Sequence, residues 1–517
     1  GVGKSVIIRR AMSELDEAKY HHISLIFSAH TTSRATQEMI ESKLEKKRGV
    51  AIQPPSNKEG ILFIDDINMP ERDYYGSQPP IELLRQLVSM EGLYERPGLA
   101  WNDIKHVTLL GAGGPDGGGR VPVTPRFLRF LFNIELTPPD DHTMFNIFHS
   151  ILQPFFDPFA EGVRNIVQKV VNASVDAYTA VTHNFLPTPD KSHYMFNLRD
   201  LTNVVQGIMR AKPESVSTPQ ILEKLWLHEN VRVYRDRLVC DEDRKQLQEI
   251  LTGTMKKRLG ADLSAEDVFE GPLLFADYQR GFVADNERFY EEVPSYEKAR
   301  KVLEDYLEEY HFTRRNQSDP ILFFDSAVQH ITRISRILRQ PRGHAVLVGV
   351  AGTGKRTLAR FASFVSECDL AEIEVTDHYT IDNFREDLQK LYVKCGCGGK
   401  ATAFVISDTQ LVNDEFLEVI NNVLNTGEIP NLFNQEEMDK NCNDMVSYAK
   451  SIGENEARDN LIKLFYERVR ENLHVILTMS PVGSSFRHRC RMFPSLVSCC
   501  TIDWVDTWPE SALKLVA

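Results

Sequence analysis

Short apolar runs alternate along this chain with longer stretches of helical periodicity. ILFI at 61–64 and AFVI at 403–406 are β-rich runs, and each leads to an aspartate, Asp65 and Asp408. HVTLL at 106–110, HAVLVGV at 344–350 and HVILTM at 474–479 have the same character. Uninterrupted apolar runs of this length predict strands covered on both faces. The stretches VIIRRAMSEL, ILEKLWLHENVRVYRDRL and SYEKARKVLEDYLEEYHF instead space their apolar residues three and four apart, as an amphipathic helix does. Strands alternating with helices predict an α/β fold, a parallel sheet with helices on both faces. The order phosphate-loop-like segment, helix, strand, apolar strand ending in Asp occurs twice, from Gly1 and again from about Ala345. The stretch between is helical. The expected organisation is therefore a first α/β unit over 1–137, a helical small subdomain over 138–265 and a second α/β unit over 266–517.

Composition narrows this little. The chain has 517 residues, 42% apolar and 26% charged, with a net charge of −13. That balance argues against a surface that coats nucleic acid, and no apolar run approaches the roughly 20 residues that a membrane-spanning helix needs. Eight cysteines are scattered, and KCGCGGK (Cys395, Cys397) lacks a second pair or a His cluster to complete a metal site. A glycine-rich turn with reduced thiols, in a reducing compartment, is the expectation. ESKLEKKRG reads as a solvated helix end. The opening inside a motif and the helical pattern running to Ala517 lead us to expect a longer native polypeptide.

GVGKS, residues Gly1, Val2, Gly3, Lys4 and Ser5, matches the last part of GxxxxGK[ST]. In such a loop backbone N–H groups surround phosphates, the lysine reaches the β- and γ-phosphates, and the hydroxyl holds Mg²⁺. The helix that follows turns its N-terminus towards the anion. Asp65 then falls beside the metal and Asp66 beside the attacking water. These assignments make Asp66 the catalytic candidate and Ser5 and Asp65 the metal candidates, with ATP or ADP and Mg²⁺ as ligands. Asp66 is one methylene shorter than the glutamate common at this place. At the end of the strand in HVTLLGAGG, Gly114 replaces the asparagine that usually senses the γ-phosphate.

VLVGVAGTGKRTLARFA holds a complete second loop: Gly349, Gly352, Thr353, Gly354 and Lys355, followed by Arg356 and Thr357. Arg356 fills the Ser/Thr position, and a guanidinium cannot ligate Mg²⁺. Asp408 is kept, but Thr409 stands where a catalytic carboxylate belongs and Ser480 where the sensor asparagine belongs. The second site is expected to bind nucleotide and hydrolyse it slowly or not at all.

Longer phrases carry a family resemblance. IDDINMPERDYYGSQPPIELLRQ, GGGRVPVTPRFLRF, HYMFNLRDLTNVVQGI and WLHENVRVYRDRLVCDEDR resemble the third AAA+ module of axonemal dynein heavy chains and its small subdomain. LVGVAGTGKRTLARFA, DTQLVNDEFLEVINNVLNTGEIPNLF and RVRENLHVILTMSPVGSSFRHRCRMFPSLVSCCTIDWVDTWPESAL resemble the fourth. The resemblance implies two P-loop AAA+ modules joined by a helical small subdomain. It also implies a regulatory nucleotide-binding arc of the ATP-driven, minus-end-directed microtubule motor of cilia and flagella. Partners would be neighbouring AAA+ modules of the same chain, with microtubules and dynein intermediate and light chains engaged through other parts of the parent; neither nucleic acid nor membrane is implied. Location would be the cytoplasm, the cytoskeleton and the axoneme of the cilium or flagellum. Arg199 in FNLRD matches the second sensor; the alternatives are an arginine that caps a helix start or one that pairs with Asp200. Arg126 in TPRF matches the finger that reaches a preceding module. The finger for the third site aligns with Cys499, and Arg487, Arg489 and Arg491 are candidate substitutes. The runner-up readings are a tandem ATPase resembling midasin and a structural nucleotide-binding segment without catalysis.

Overall fold

In the central strand Glu59–Asp65, Leu62, Phe63 and Ile64 are fully buried, as expected of a strand covered on both faces. The computed structural model describes residues 2–46, 51–117, 119–260, 273–284, 287–313, 321–376, 378–508, 510 and 513. These divide into two compact units, Gly1–Pro138 with Asn413–Glu437 and Arg491–Pro494, and the remainder. The expected boundary at 265 falls outside the described residues.

In the first unit, Glu59–Asp65 is flanked in parallel by Tyr20–Ile26 and Val107–Gly111. The register sets Ile26 opposite Asp65 and Ile64 opposite Gly111, so all three strands end at one edge. Helix Lys4–Ser13 starts directly after Gly3, whose φ of 79° is a left-handed value that glycine adopts without steric cost. Helix Pro79–Met90 buries Ile81, Leu84 and Leu87 at three-residue spacing, with proline at its first turn where no amide hydrogen is missed. A second sheet of very short strands, in the order Glu45–Lys46, Ala51–Gln53, Trp101–Ile104 and Gly92–Tyr94, is too brief to leave a periodic signal in sequence. In ESKLEKKRG the preceding helix ends at Ser42, and Glu45–Lys46 is already strand.

In the second unit, helices Asp141–Phe156, Val167–Asn184, Leu198–Ile208, Pro219–Tyr234 and Asp241–Thr254 share one core that includes Leu152, Val171, Leu201, Trp226 and Leu251. Trp226 is fully buried and its indole N–H donates to Ser174 Oγ at 2.9 Å. Asn197 and Asp200 form a reciprocal capping box at the start of Leu198–Ile208. From Leu225 to Tyr234 every residue of helix Pro219–Tyr234 is buried, charged ones included. Buried charges need partners. Glu229 is bonded by Arg336 and by the Tyr290 hydroxyl at 2.7 Å, and Asp200 by Arg237 at 2.6 Å. Asp236 pairs with Arg232 and Arg333 at 3.4 and 3.3 Å.

The unit also holds a five-stranded sheet in the order Asp369–Glu372, Thr402–Ser407, Leu473–Met479, Ala345–Val348 and Thr501–Trp504, parallel throughout. Ala345–Val348, the strand that enters the second glycine-rich loop, thus lies between two others. Helix Tyr296–Thr313 buries Ala299, Leu303, Tyr306 and Tyr310, one stripe of an amphipathic helix. Among the described residues no helix is long and apolar enough to cross a membrane.

Candidate nucleotide sites

Val2, Gly3, Lys4 and Ser5 form the turn and first residues of helix Lys4–Ser13; Gly1 lies outside the described residues. The Ser5 hydroxyl donates to Asp65 Oδ1 at 2.8 Å, across a sequence separation of 60. The strand end and the helix start are therefore already paired, as the chemistry of a phosphate loop requires. Asp66, in a left-handed conformation with φ of 52°, turns its carboxylate out of the strand, and its N–H donates to Asp65 Oδ1 at 3.2 Å. Burial pushes the Asp66 carboxyl above its ordinary range; Arg120 works against that shift and the neighbouring Asp65 charge adds to it. A carboxylate so placed is suited to accept a proton.

Two side chains that sequence reasoning did not single out complete this site. Arg120 Nη2 lies 3.4 Å from Asp66 Oδ1. Asn68 Nδ2 donates to the Gly114 carbonyl at 2.8 Å. Gly114 leaves room for the arginine, because a Cβ there would lie 2.6 Å from Arg120 Nε. The strand end that lacks an asparagine is thus covered by a guanidinium. DDINMP and GGGRV are irregular segments without periodicity, so nothing in the pattern marked either residue. Arg126 is the second residue of the short helix Pro125–Leu128; its side chain is 70% exposed and 4.0 Å from Glu82.

At the second loop, Gly352 and Gly354 have φ of 83° and 79°, and helix Lys355–Val365 follows at once. Gly349 must be glycine, since a Cβ would lie 2.6 Å from the Val505 carbonyl. Lys355 Nζ donates to the carbonyls of Gly349 and Val350, both at 2.7 Å, and Thr353 Oγ1 donates to Val350 O at 2.9 Å. Burial lowers the Lys355 pKa, and Asp408 opposes the shift. The Trp508 indole donates to Thr353 O at 3.3 Å. Arg356 turns to Glu372 at the end of the edge strand, Nε to Oε1 at 2.9 Å, where Arg360, one turn further along the same helix, binds that carboxylate through two nitrogens. Burial pushes the Glu372 carboxyl up, but the two guanidiniums outweigh it and hold it below its ordinary value. Thr357 is half-buried beside them. Asp408 Oδ2 accepts from the Ser480 N–H at 3.0 Å, and Thr409 shares a 2.7 Å hydrogen bond with Ser407.

Arg199 lies on the second unit, where Nη1 donates to Ser498 O at 2.9 Å and to Cys499 Sγ at 3.1 Å. Pairing with Asp200 is not its role, because that carboxylate is taken by Arg237 and the Asn197 N–H. Of the candidate finger substitutes, Arg487 binds Asp190 at 2.7 Å and Arg489 donates to Leu411 O at 3.3 Å.

Family models match this arrangement segment by segment. Residues 1–139 match the "P-loop containing dynein motor region", 170–270 the "AAA+ lid domain" and 320–517 the "P-loop containing dynein motor region D4". Across the whole chain it is 45% identical over 520 residues to human dynein axonemal heavy chain 6 and 40% identical over 530 residues to mouse dynein axonemal heavy chain 1. It is 38% identical over 527 residues to the Chlamydomonas reinhardtii dynein-1-beta heavy chain of the flagellar inner arm I1 complex. The chain belongs to the axonemal dynein heavy chains. It spans 12% of the length of each of these relatives. The midasin-like alternative is set aside, and the α/β fold with two P-loop AAA+ modules and a helical lid stands.

The dynein modules imply nucleotide binding, and Mg²⁺ commonly accompanies it. At the first loop the residues fit: Ser5 Oγ and Asp65 Oδ1 are two hard oxygen donors already 2.8 Å apart. At the second they do not, because the hydroxyl position is a guanidinium committed to Glu372.

Proposed function

We propose that this segment is a regulatory nucleotide-binding arc of a dynein ring, turning over ATP slowly at the first loop and retaining nucleotide with little or no hydrolysis at the second. The observation that carries the asymmetry is the contrast at the helix starts. Ser5 is paired with Asp65, while Arg356 is paired with Glu372. In the first site Lys4 and the N-terminus of its helix hold phosphate, and Ser5 and Asp65 would hold Mg²⁺, which supplies charge neutralisation when bound. Asp66 orients the attacking water and takes its proton. Slow turnover is what the family resemblance supports, since Cys499 aligns with the finger for this site and an arginine finger is worth roughly 10³–10⁵ in rate. The sensor role of Arg199 and the finger role of Arg126 rest on the family resemblance. In the second site Gly349, Gly352, Thr353, Gly354 and Lys355 cradle phosphate, with Asp408 nearby. In the parent protein this arc serves an ATP-driven, minus-end-directed microtubule motor of the ciliary and flagellar axoneme, alongside neighbouring AAA+ modules and intermediate and light chains.

Single-turnover phosphate release from the Lys4→Ala and Lys355→Ala chains tests the reading. Release is expected to persist in Lys355→Ala and vanish in Lys4→Ala. The reverse pattern, or release at motor rates from the first site of an intact ring whose first module is disabled, overturns it. A purely structural role for the second loop is favoured by the Lys355 contacts to its own loop carbonyls. It predicts a thermal shift with ADP or ATP and no phosphate release.

A further inference from the structure

We infer that Arg120 reads the γ-phosphate at the first site, in place of the strand-end amide that Gly114 lacks. The inference rests on the nucleotide reading of that loop and adds the group that tells triphosphate from diphosphate. Arg120 stands on a tight turn closed by paired backbone bonds with Gly117, N to O at 3.1 and 3.3 Å. Asn68 fastens the turn, its carbonyl accepting from Val121 N at 2.9 Å and its amide donating to Gly114 O. Arg72 Nη2 adds a bond to Pro122 O at 3.2 Å. Gly119, with φ of 90°, is fixed as glycine because a Cβ would lie 2.6 Å from the Arg491 carbonyl. These bonds hold the described residues on either side of Arg120, so the guanidinium is pre-positioned.

That guanidinium is under-used by the protein. It carries five N–H donors. Its contact with Asp66 at 3.4 Å is long for a charge-assisted bond, which runs about 2.7–2.9 Å. Its Nε is buried and has no hydrogen-bond partner among the described residues, and the Asn68 Oδ1 nearby is in the same condition. A structural ion pair would be expected to close shorter and satisfy more donors. Its ion partner is Asp66, the carboxylate on which the charges of Asp65 and Lys4 also act, and in the nucleotide reading these groups surround the phosphate end. A planar cation with spare donors beside the water-positioning carboxylate matches the oxygens of a terminal phosphoryl group. ADP, one phosphoryl shorter, leaves it only the long contact with Asp66.

The test uses the full chain carrying Lys355→Ala, so that only the first loop binds, titrated calorimetrically with ADP and with the non-hydrolysable triphosphate AMPPNP in Mg²⁺. Arg120→Ala is expected to weaken AMPPNP by about tenfold or more, the worth of a hydrogen bond to a charged group, and to leave ADP within about twofold. Arg120→Lys, which keeps the charge without the fork, falls between. A merely structural arginine moves both nucleotides together. Equal losses, losses that lysine restores equally for both, or no change in either overturn the assignment of Arg120 alone. A Lys355→Ala chain with Arg120 intact that binds neither nucleotide overturns the reading of the site beneath it.

Discussion

Replacing glycine by alanine within a helix ordinarily stabilises it by about 1 kcal/mol. At Gly207 the structure demands the opposite. A Cβ on Gly207 would lie 1.7 Å from Glu229 Oε2, 2.3 Å from its Cδ and 2.9 Å from its Cγ. Glu229 cannot step aside cheaply: it is fully buried, bonded by Arg336 and by the Tyr290 hydroxyl. Inserting a methyl into a packed site costs about 1–3 kcal/mol, and stripping one partner from a buried pair about 3–5 kcal/mol. Allowing for partial retention of the pair and for the gain in helix propensity, we expect Gly207→Ala to destabilise this region by about 2–4 kcal/mol. A chain of this size does not unfold in one step, so the assay is hydrogen exchange of the amides in helices Leu198–Ile208 and Pro219–Tyr234. Protection should fall by about 30-fold to several hundredfold. Gly253→Ala is the control, since Gly253 is exposed in helix Asp241–Thr254 with nothing within 4 Å of its Cβ position. It should raise protection slightly. If Gly207→Ala behaves like Gly253→Ala, the account of a carboxylate pressed against the helix backbone is wrong.

Three further outcomes follow from the sites and the lid. Ser5→Ala should close the gap between nucleotide affinity in Mg²⁺ and in chelator at the first loop, read by titration in the Lys355→Ala chain; a gap that persists removes Ser5 from the metal site. Arg356→Thr should open such a gap at the second loop in the Lys4→Ala chain, where the parent residue is expected to show none. Burial lowers the His193 pKa to about 4, against the Arg237 carbonyl that hydrogen-bonds it at 3.1 Å. The unfolded chain takes up this proton near about pH 6.5, so the contribution is whole above that pH and shrinks as pH falls towards 4. We expect it to cost the lid about 2 kcal/mol between about pH 7 and pH 5, with His193→Phe flattening the acid slope of lid exchange protection. An unaltered slope would remove His193 as a source of the acid sensitivity.

The strands and phosphate loops were legible because their signals are local. A strand covered on both faces must be apolar without a break, as in ILFI and AFVI, and a phosphate loop needs glycine where φ is positive, as at Gly3, Gly352 and Gly354. The charges resisted because their partners are remote. WLHENVRVYRD carries charges that a helical pattern assigns to water, yet Glu229, Arg232 and Asp236 are buried, with Arg336 and Arg333 some hundred positions away as partners. Arg120 and Glu372 complete sites whose motifs end well before them, and no periodicity records that.

The buried charges of the second unit have a mechanical consequence. Asp503, in the strand next to the one that enters the second phosphate loop, accepts from His330 at 2.6 Å and Arg333 at 2.8 Å. Arg333 also pairs with Asp236 at the end of the lid helix, and Trp504 stacks on His193 of the lid with planes 13° apart. Sliding the lid along this seam would separate buried ion pairs, at a cost of several kcal/mol against a thermal energy of about 0.6 kcal/mol. The seam is therefore expected to resist shear, so that a tilt of the second sheet would carry the lid with it as a lever arm.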